Sequence, residues 1–196
     1  KDLYESFIDW KKRDAEGLKP IEGLLTKIDN IKTLADLQKY LEEVTPEGEN
    51  PICAWGVYAD MKDSNMNTVY LGNFSIGMGR DYYQKDNKEN TEALQKYQDY
   101  VMAIFKVLKD DKAAEKAKQM VDFERSIAKL MLTNEEDRNP NLSYNPQTMA
   151  ELSKLVKNIN LPQLLKNVGV NTDKVVVSEI RLYKQYDKFI NEKNLP

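Results

Sequence analysis

Two short polar clusters carry the side chains best suited to bind or position a ligand. One follows a Gly-x-Gly step and the other lies in a loop bounded by prolines; the residues are Arg80, Asp81, Tyr82, Tyr83, Arg138 and Tyr144. An arginine can hold a carboxylate through two parallel hydrogen bonds, so both arginines are candidate substrate anchors, with Asp81 as a brace for Arg80. The alternative, which we favour, is structural: each arginine ties its loop to carbonyl groups at helix C-termini. The tyrosines would then be packing residues whose hydroxyls join the same network.

The residue types needed for most catalytic and zinc sites are missing. Histidine is absent and Cys53 is the only cysteine. These counts exclude a Ser-His or Cys-His nucleophile pair, a histidine zinc site and a thiolate cluster. No spacing among the 32 acidic residues selects a catalytic pair, and Asp60, Asp63 and Asn65 lack the glycine and closing glutamate of a calcium loop. We therefore predict no catalytic residue, no metal ligand and no cofactor within these residues.

The composition is that of a folded globular chain, with 41% hydrophobic and 31% charged residues and a formal net charge of −3. Such a chain has no basic surface for nucleic acid. No apolar run approaches the roughly 18 residues of a membrane span. We expect neither nucleic acid nor a membrane as a partner of this segment.

Apolar residues at helical spacing dominate the chain on both sides of one extended stretch. The pattern predicts a mainly α, bundle-like single domain over residues 1–196 with one small β-hairpin at about residues 52–72. The hairpin would pair residues 52–59 with 67–71. Its buried face is predicted to contain Trp55, Val57, Val69 and Leu71.

The segments around the hairpin give further local predictions. Residues 2–16 are predicted to form one helix, and Gly77 and Gly79 a flexible hinge. Two amphipathic helices, with apolar stripes over residues 94–108 and 113–131, should lie antiparallel. Thr33 and Thr148 are predicted helix N-caps, the second within a capping box closed by Glu151.

The end of the chain is predicted to be an extended connector at residues 175–177 and one last helix capped by Ser178. Tyr183, Tyr186 and Phe189 on that helix have no evident partner in the sequence. We expect them to form an exposed apolar patch.

Several segments occur together in a distinctive order. They are Asp2-Leu3-Tyr4-x-Ser6, Gly17-Leu18-x-Pro20, Gly77-Met78-Gly79-Arg80-Asp81-Tyr82-Tyr83, Asp137-Arg138, Tyr144-Asn145-Pro146-x-Thr148-Met149-Ala150-Glu151-Leu152 and Asp173-Lys174-Val175-Val176-Val177. Their order and spacing resemble the N-terminal region of the neprilysin-type zinc metallopeptidases, which include endothelin-converting enzymes and, nearer to this chain, bacterial endopeptidases. Residues 8–12 and Gly79 depart from the family pattern.

The resemblance implies a mostly helical lid that faces a catalytic domain across a closed chamber and restricts the substrates to peptides. In that family a His-Glu-x-x-His helix and a later glutamate hold zinc, and both lie in the C-terminal part of the chain. These 196 residues would then be a non-catalytic, excised part of the lid, without the catalytic zinc domain. The implied partners are the catalytic domain of the same parent chain and its peptide substrates, and zinc is the implied cofactor of the parent.

Two further expectations concern the parent protein. It is expected to be periplasmic, secreted or envelope-anchored, and its reading frame to continue past Pro196 into the zinc motif. The alternative from a different class is a free-standing helical module that binds a partner protein through an exposed apolar groove.

Overall fold

Helices make up most of the computed structural model, which describes residues 2–195. The α-helices in this part of the chain are α1 (Asp2–Ile8), α2 (Trp10–Glu16), α3 (Glu22–Asp29), α4 (Leu34–Val44), α5 (Arg80–Gln84), α6 (Lys88–Val107), α7 (Ala113–Ala128), α8 (Pro140–Ser143), α9 (Met149–Leu155), α10 (Leu161–Asn167), α11 (Ile180–Tyr183) and α12 (Tyr186–Phe189). The strands are β1 (Trp55–Ala59), β2 (Asn67–Leu71), β3 (Asn145–Thr148) and β4 (Lys174–Val177). Short 3-10 turns occur at Lys19–Ile21, Thr45–Glu47, Glu136–Arg138 and Glu192–Asn194. The predicted mainly α fold is confirmed.

The strands form one four-stranded mixed sheet in the order β1-β2-β4-β3. The predicted hairpin is confirmed, since β1 and β2 pair antiparallel from Trp55 opposite Leu71 onward. β4 joins β2 in parallel, and β3 pairs antiparallel with β4. The prediction of a mere connector at residues 175–177 is therefore wrong. All three valines are buried, as in a strand covered on both faces, and such a short apolar run shows no alternation from which a strand could be read.

The hairpin is not buried evenly along its two strands. In β2 every residue from Thr68 to Leu71 is buried, whereas β1 is half-buried at Trp55 and exposed further along. Val57 is 52% exposed, so its predicted place in the buried face is wrong. The reason is its position, because β1 is an outer strand with a neighbour on one side only.

Helix α7 folds back against α6. The connection spans only residues 108–112, and Tyr97 in the middle of α6 contacts Glu124 in the second half of α7. The predicted antiparallel arrangement is thus confirmed. Both predicted N-caps are also confirmed: the Thr33 hydroxyl accepts from the amide of Asp36, and Thr148 and Glu151 form the full capping box.

The predicted single last helix is wrong, because the structure has two short helices, α11 and α12, and Ser178 caps neither of them. Tyr183 and Tyr186 are fully buried, and Phe189 packs edge-on against Phe74 and Phe123. The predicted apolar patch at these residues is therefore also wrong. β4 is an inner strand of the sheet, so the residues that follow it lie over the core.

Helices α1, α2 and α3 contain no buried residue. The predicted helix over residues 2–16 is broken at Asp9, whose carboxylate accepts from the Lys12 amide and caps α2. The core and the shell packed against it lie entirely at or after Leu34. Eight large apolar side chains of the first segment, here called the N-terminal apolar residues, are exposed: Leu3, Tyr4, Phe7, Ile8, Trp10, Ile21, Leu24 and Ile28.

Candidate functional site

Arg80, the first residue of α5, joins three distant parts of the chain. Its guanidinium donates to the carbonyl of Leu132 at 2.6 Å and pairs with Glu179 at 3.2 Å and Asp137 at 3.3 Å. Leu132 follows the C-terminus of α7, so this is the contact that the structural interpretation of Arg80 expects. Contact with a substrate stays a prediction.

Asp81 does not brace Arg80, contrary to the prediction. Neighbouring residues of a helix point in different directions, and Asp81 instead accepts from the side-chain amide of Asn134 at 2.6 Å. The carboxylates that hold Arg80 come from residues 57 and 99 positions further along the chain. Pairing over such distances leaves no periodic signal in the sequence.

The carbonyl groups at the end of α7 are held by two further side chains. Gln84 donates to the carbonyls of Ala128 and Met131, at 2.7 and 3.0 Å. Arg181 donates to Met131 as well and forms a two-pronged ion pair with Glu136. The last carbonyls of a helix lack partners within it, so these side chains satisfy groups that would otherwise be costly to bury. The sequence interpretation missed both of them.

Glu179 is the buried carboxylate of the Arg80 cluster. Removal from water raises the pKa of Glu179, while the hydrogen bond from the Leu132 amide at 2.8 Å and the nearby Arg80 act in the opposite direction. A buried carboxylate is tolerated only with such donors. The cluster therefore fixes the junction between β4 and α11 to the end of α7.

A second buried carboxylate, Glu124 of α7, accepts three hydrogen bonds. Its donors are the hydroxyl of Tyr83 at 2.7 Å, the hydroxyl of Tyr97 at 3.1 Å and the amide of Gly77 at 3.0 Å. Burial and, as the next largest cause, the nearby Glu124 raise the pKa of Tyr97 to about 12 and raise the pKa of Tyr83 further still. Both hydroxyls therefore keep their protons and remain donors. This cluster ties α5, α6 and α7 together.

Gly77 has a steric role that its prediction as a hinge did not include. A side chain at this position would overlap the ring and hydroxyl of Tyr97. Glycine therefore lets the main chain approach Glu124 closely enough to donate its amide.

The remaining predicted site residues lie elsewhere. Tyr144 donates to both carboxylate oxygens of Asp60 at 3.0 Å, and the Lys62 ammonium sits over its ring. Tyr82 and Arg138 are exposed. The prediction that the tyrosines share the network of Arg80 is wrong, because Tyr83 and Tyr144 belong to two separate carboxylates.

The side chains present do not fit a zinc ion. Within residues 2–195, no three acidic or cysteine side chains lie close enough together to hold a metal. The sulfur of Cys53 lies 3.2 Å from the hydroxyl of Tyr183, and burial raises the pKa of Cys53 to about 11, so it is a thiol rather than a thiolate ligand. In the same part of the chain, no helix is both long and apolar enough to cross a membrane.

Fold and site together define a mainly α structure whose buried carboxylates are held by side-chain and main-chain donors of its own residues. The model of Peptidase family M13 matches residues 1–196, and the chain belongs to this family. The neutral endopeptidase of Lactococcus lactis subsp. cremoris is 27% identical over 195 residues, which are 98% of this chain and 31% of that protein. The endothelin-converting enzyme 1 of Rattus norvegicus is 30% identical over 188 residues, with 88% of this chain and 24% of that protein covered. The resemblance to this group is confirmed, and the chain spans a third or less of its relatives.

Solved structures share the fold. The zinc metalloprotease Zmp1 of Mycobacterium tuberculosis, in complex with an inhibitor, matches with a TM-score of 0.84 at 21% identity over 98% of this chain and 31% of that one. PepO from Lactobacillus rhamnosis HN001 matches with a TM-score of 0.81 at 16% identity over 95% and 30% of the two chains. The mainly α architecture with one small sheet is therefore that of the matched region in both.

Proposed function

We propose that this chain is the non-catalytic N-terminal region of a zinc-dependent endopeptidase. The region closes a chamber over the catalytic domain of the same parent protein and so limits the substrates to peptides. The family and the names of its relatives, a neutral endopeptidase and an endothelin-converting enzyme, support the endopeptidase activity. The absence of histidine from the chain supports a non-catalytic role for this region, because a zinc site with histidine ligands must then lie in another part of the parent.

The observation that carries the proposal is the exposure of the N-terminal apolar residues. Leu3 is 84% exposed and Phe7 is 67% exposed, although both lie on the apolar stripe of α1, and an amphipathic helix normally buries such a stripe. Apolar clusters of this kind mark surfaces that contact another protein or domain. The two relatives are about three to four times longer than this chain, since it covers 31% and 24% of their lengths, and we propose that their additional length contains the catalytic domain. We propose that this domain covers α1–α3.

Charged substitutions in the full-length protein test the role. Phe7→Glu places a carboxylate in the proposed interface, and Lys11→Glu places one on the exposed, charged surface of the next helix as a matched control. We expect Phe7→Glu to open the chamber, so that cleavage of casein rises relative to cleavage of a ten-residue peptide. Equal ratios in wild type, Phe7→Glu and Lys11→Glu would contradict the size restriction.

Metal content tests whether the zinc site lies outside residues 1–196. Residues 1–196 should retain no stoichiometric zinc after dialysis and should cleave no peptide. The full-length protein should retain zinc and cleave the peptide. A stoichiometric zinc bound by residues 1–196 would contradict the proposal. We also propose that the parent is periplasmic, secreted or envelope-anchored, which cell fractionation tests.

A further inference from the structure

Strand β1 forms one border of the sheet, and within residues 2–195 no strand pairs with its outer edge. At its two ends, Ala54 and Asp60 bond to the β2 side of the hairpin. The N–H and C=O groups of successive strand residues point alternately to opposite edges. The main-chain groups of Trp55 and Val57, together with the N–H of Ala59, therefore lie on the open edge.

This edge lacks the usual protection against pairing. Natural edge strands carry charged residues, proline or marked bulges, whereas β1 reads Trp-Gly-Val-Tyr-Ala. The exposed Val57 and Tyr58 flank the open edge. An uncharged edge with free donors and acceptors is complementary to one chemistry, the main chain of another extended peptide segment.

The end of the hairpin adds two exposed methionines. Met61 is 57% and Met66 is 60% exposed. Methionine is flexible and polarizable, and proteins use it where one surface must fit different side chains. This composition favours a partner of variable sequence over one fixed protein surface.

We infer that the open edge of β1 binds extended peptides by strand addition, with main-chain hydrogen bonds at Trp55 and Val57 and little sequence preference. The inference rests on the proposed function, because an endopeptidase chamber is where peptides would meet this strand. Main-chain pairing supplies affinity in such complexes, and alternate side chains supply the limited selectivity.

The test uses residues 1–196 labelled with 15N and the blocked pentapeptide acetyl-Thr-Val-Thr-Val-Thr-amide. We expect saturable shifts and slowed exchange of the amides of Trp55, Val57 and Ala59. Val57→Pro removes an outward N–H without touching the bonds to β2, and should weaken binding at least tenfold. Val57→Thr keeps that N–H and should bind within twofold of wild type.

Three results would overturn the inference. The first is that Val57→Pro binds the peptide as tightly as wild type does. The second is that the same peptide with every amide N-methylated binds as tightly as the unmethylated one. The third is self-pairing of β1 without peptide, which would make a second copy of the chain the partner. If Val57→Pro loses its dispersed spectrum, Ala59→Pro removes the other outward N–H instead. The size-restriction experiment uses other variants, so either proposal can fail while the other stands.

Discussion

The first 29 residues and the rest of the chain are both largely helical, yet they differ in what covers their apolar side chains. Leu3 of α1 is almost fully exposed, whereas Leu71 of β2 is completely buried. Amphipathic spacing alone gives a helix a face to bury but does not say where the cover comes from. The comparison separates a self-contained body, which is the chain from Leu34 onward, from a first segment whose apolar side chains are left uncovered by residues 2–195.

The polar groups show the same division. In the body, the buried Glu124 has three donors and Glu179 is held by Arg80 and the Leu132 amide. In the first segment the ion pair between Lys12 and Glu16 is exposed, and such pairs contribute little. Specific tertiary structure is thus fixed in the body.

The largest expected contrast is between aromatic truncations in the two regions. Tyr186→Ala should lower the free energy of unfolding by about 3–5 kcal/mol, because it empties a fully buried site. Phe7→Ala should change it by less than about 0.5 kcal/mol, because that ring is exposed. Urea denaturation of residues 1–196 measures both. Comparable losses would show that α1 packs on the body.

Next in size is the removal of a buried acceptor. Glu124→Ala leaves two tyrosine hydroxyls and one amide without partner, so we expect a loss of about 3 kcal/mol. Glu124→Gln keeps an acceptor and should cost less. Glu115→Ala, at an exposed position of the same helix, is the control and should be near neutral. A neutral Glu124→Ala would show that the cluster is not formed.

Arg80 separates the structural from the substrate-anchoring interpretation. Arg80→Ala should lower the stability by about 1–3 kcal/mol, because Glu179 and the Leu132 carbonyl lose their partner. Arg138→Ala should have almost no effect, since that side chain is exposed. If Arg80→Ala melts like wild type and the full-length enzyme instead loses affinity for its substrate, the anchoring interpretation is correct.

The smallest expected effect is the pH dependence of the body. The ion pair with Arg181, and then the Thr133 amide, lower the pKa of Glu136 in the folded state. Ionised Glu136 therefore stabilises the fold at pH values above the usual pKa of a glutamate. This contribution is lost as the pH falls through the lowered pKa of Glu136. Glu136→Gln should flatten the loss of stability measured by denaturation from pH 6 to pH 3.

Glu179 should show the opposite sign. Burial raises the pKa of Glu179, so the folded state binds this proton more readily and gains relative stability as the pH falls. Glu179→Gln removes that gain and should make the acid loss steeper. Equal acid slopes in wild type and both variants would contradict these assignments.

Local signals predicted local structure well. The helical periodicity of α6 and α7 and the caps at Thr33 and Thr148 depend on residues within a few positions of each other, and they were found. The hairpin, whose paired residues are at most sixteen positions apart, was found as well. The resemblance of the short motifs also led to the correct family.

Long-range structure could not be predicted in the same way. The place of β4 in the sheet depends on pairing with β2, which is about a hundred residues earlier, and a run of three valines carries no period. For the same reason the carboxylate partners of Arg80 and the donors to Glu124 were missed. Tyr183 and Tyr186 were likewise expected at the surface instead of in the core. Exposure of apolar residues was expected at the C-terminal end, where Tyr183 and Tyr186 are buried, and was not expected for the N-terminal apolar residues, which are exposed.

Amide hydrogen exchange tests the central comparison most directly. The measurement compares residues 1–196 alone with the same residues in the full-length protein. We predict that amides of α1–α3 become protected only in the full-length protein, while those of α6, α7 and the sheet are protected in both. Equal, fast exchange of α1–α3 in the two samples would contradict the account, because it would show that the N-terminal apolar residues have no cover in the parent.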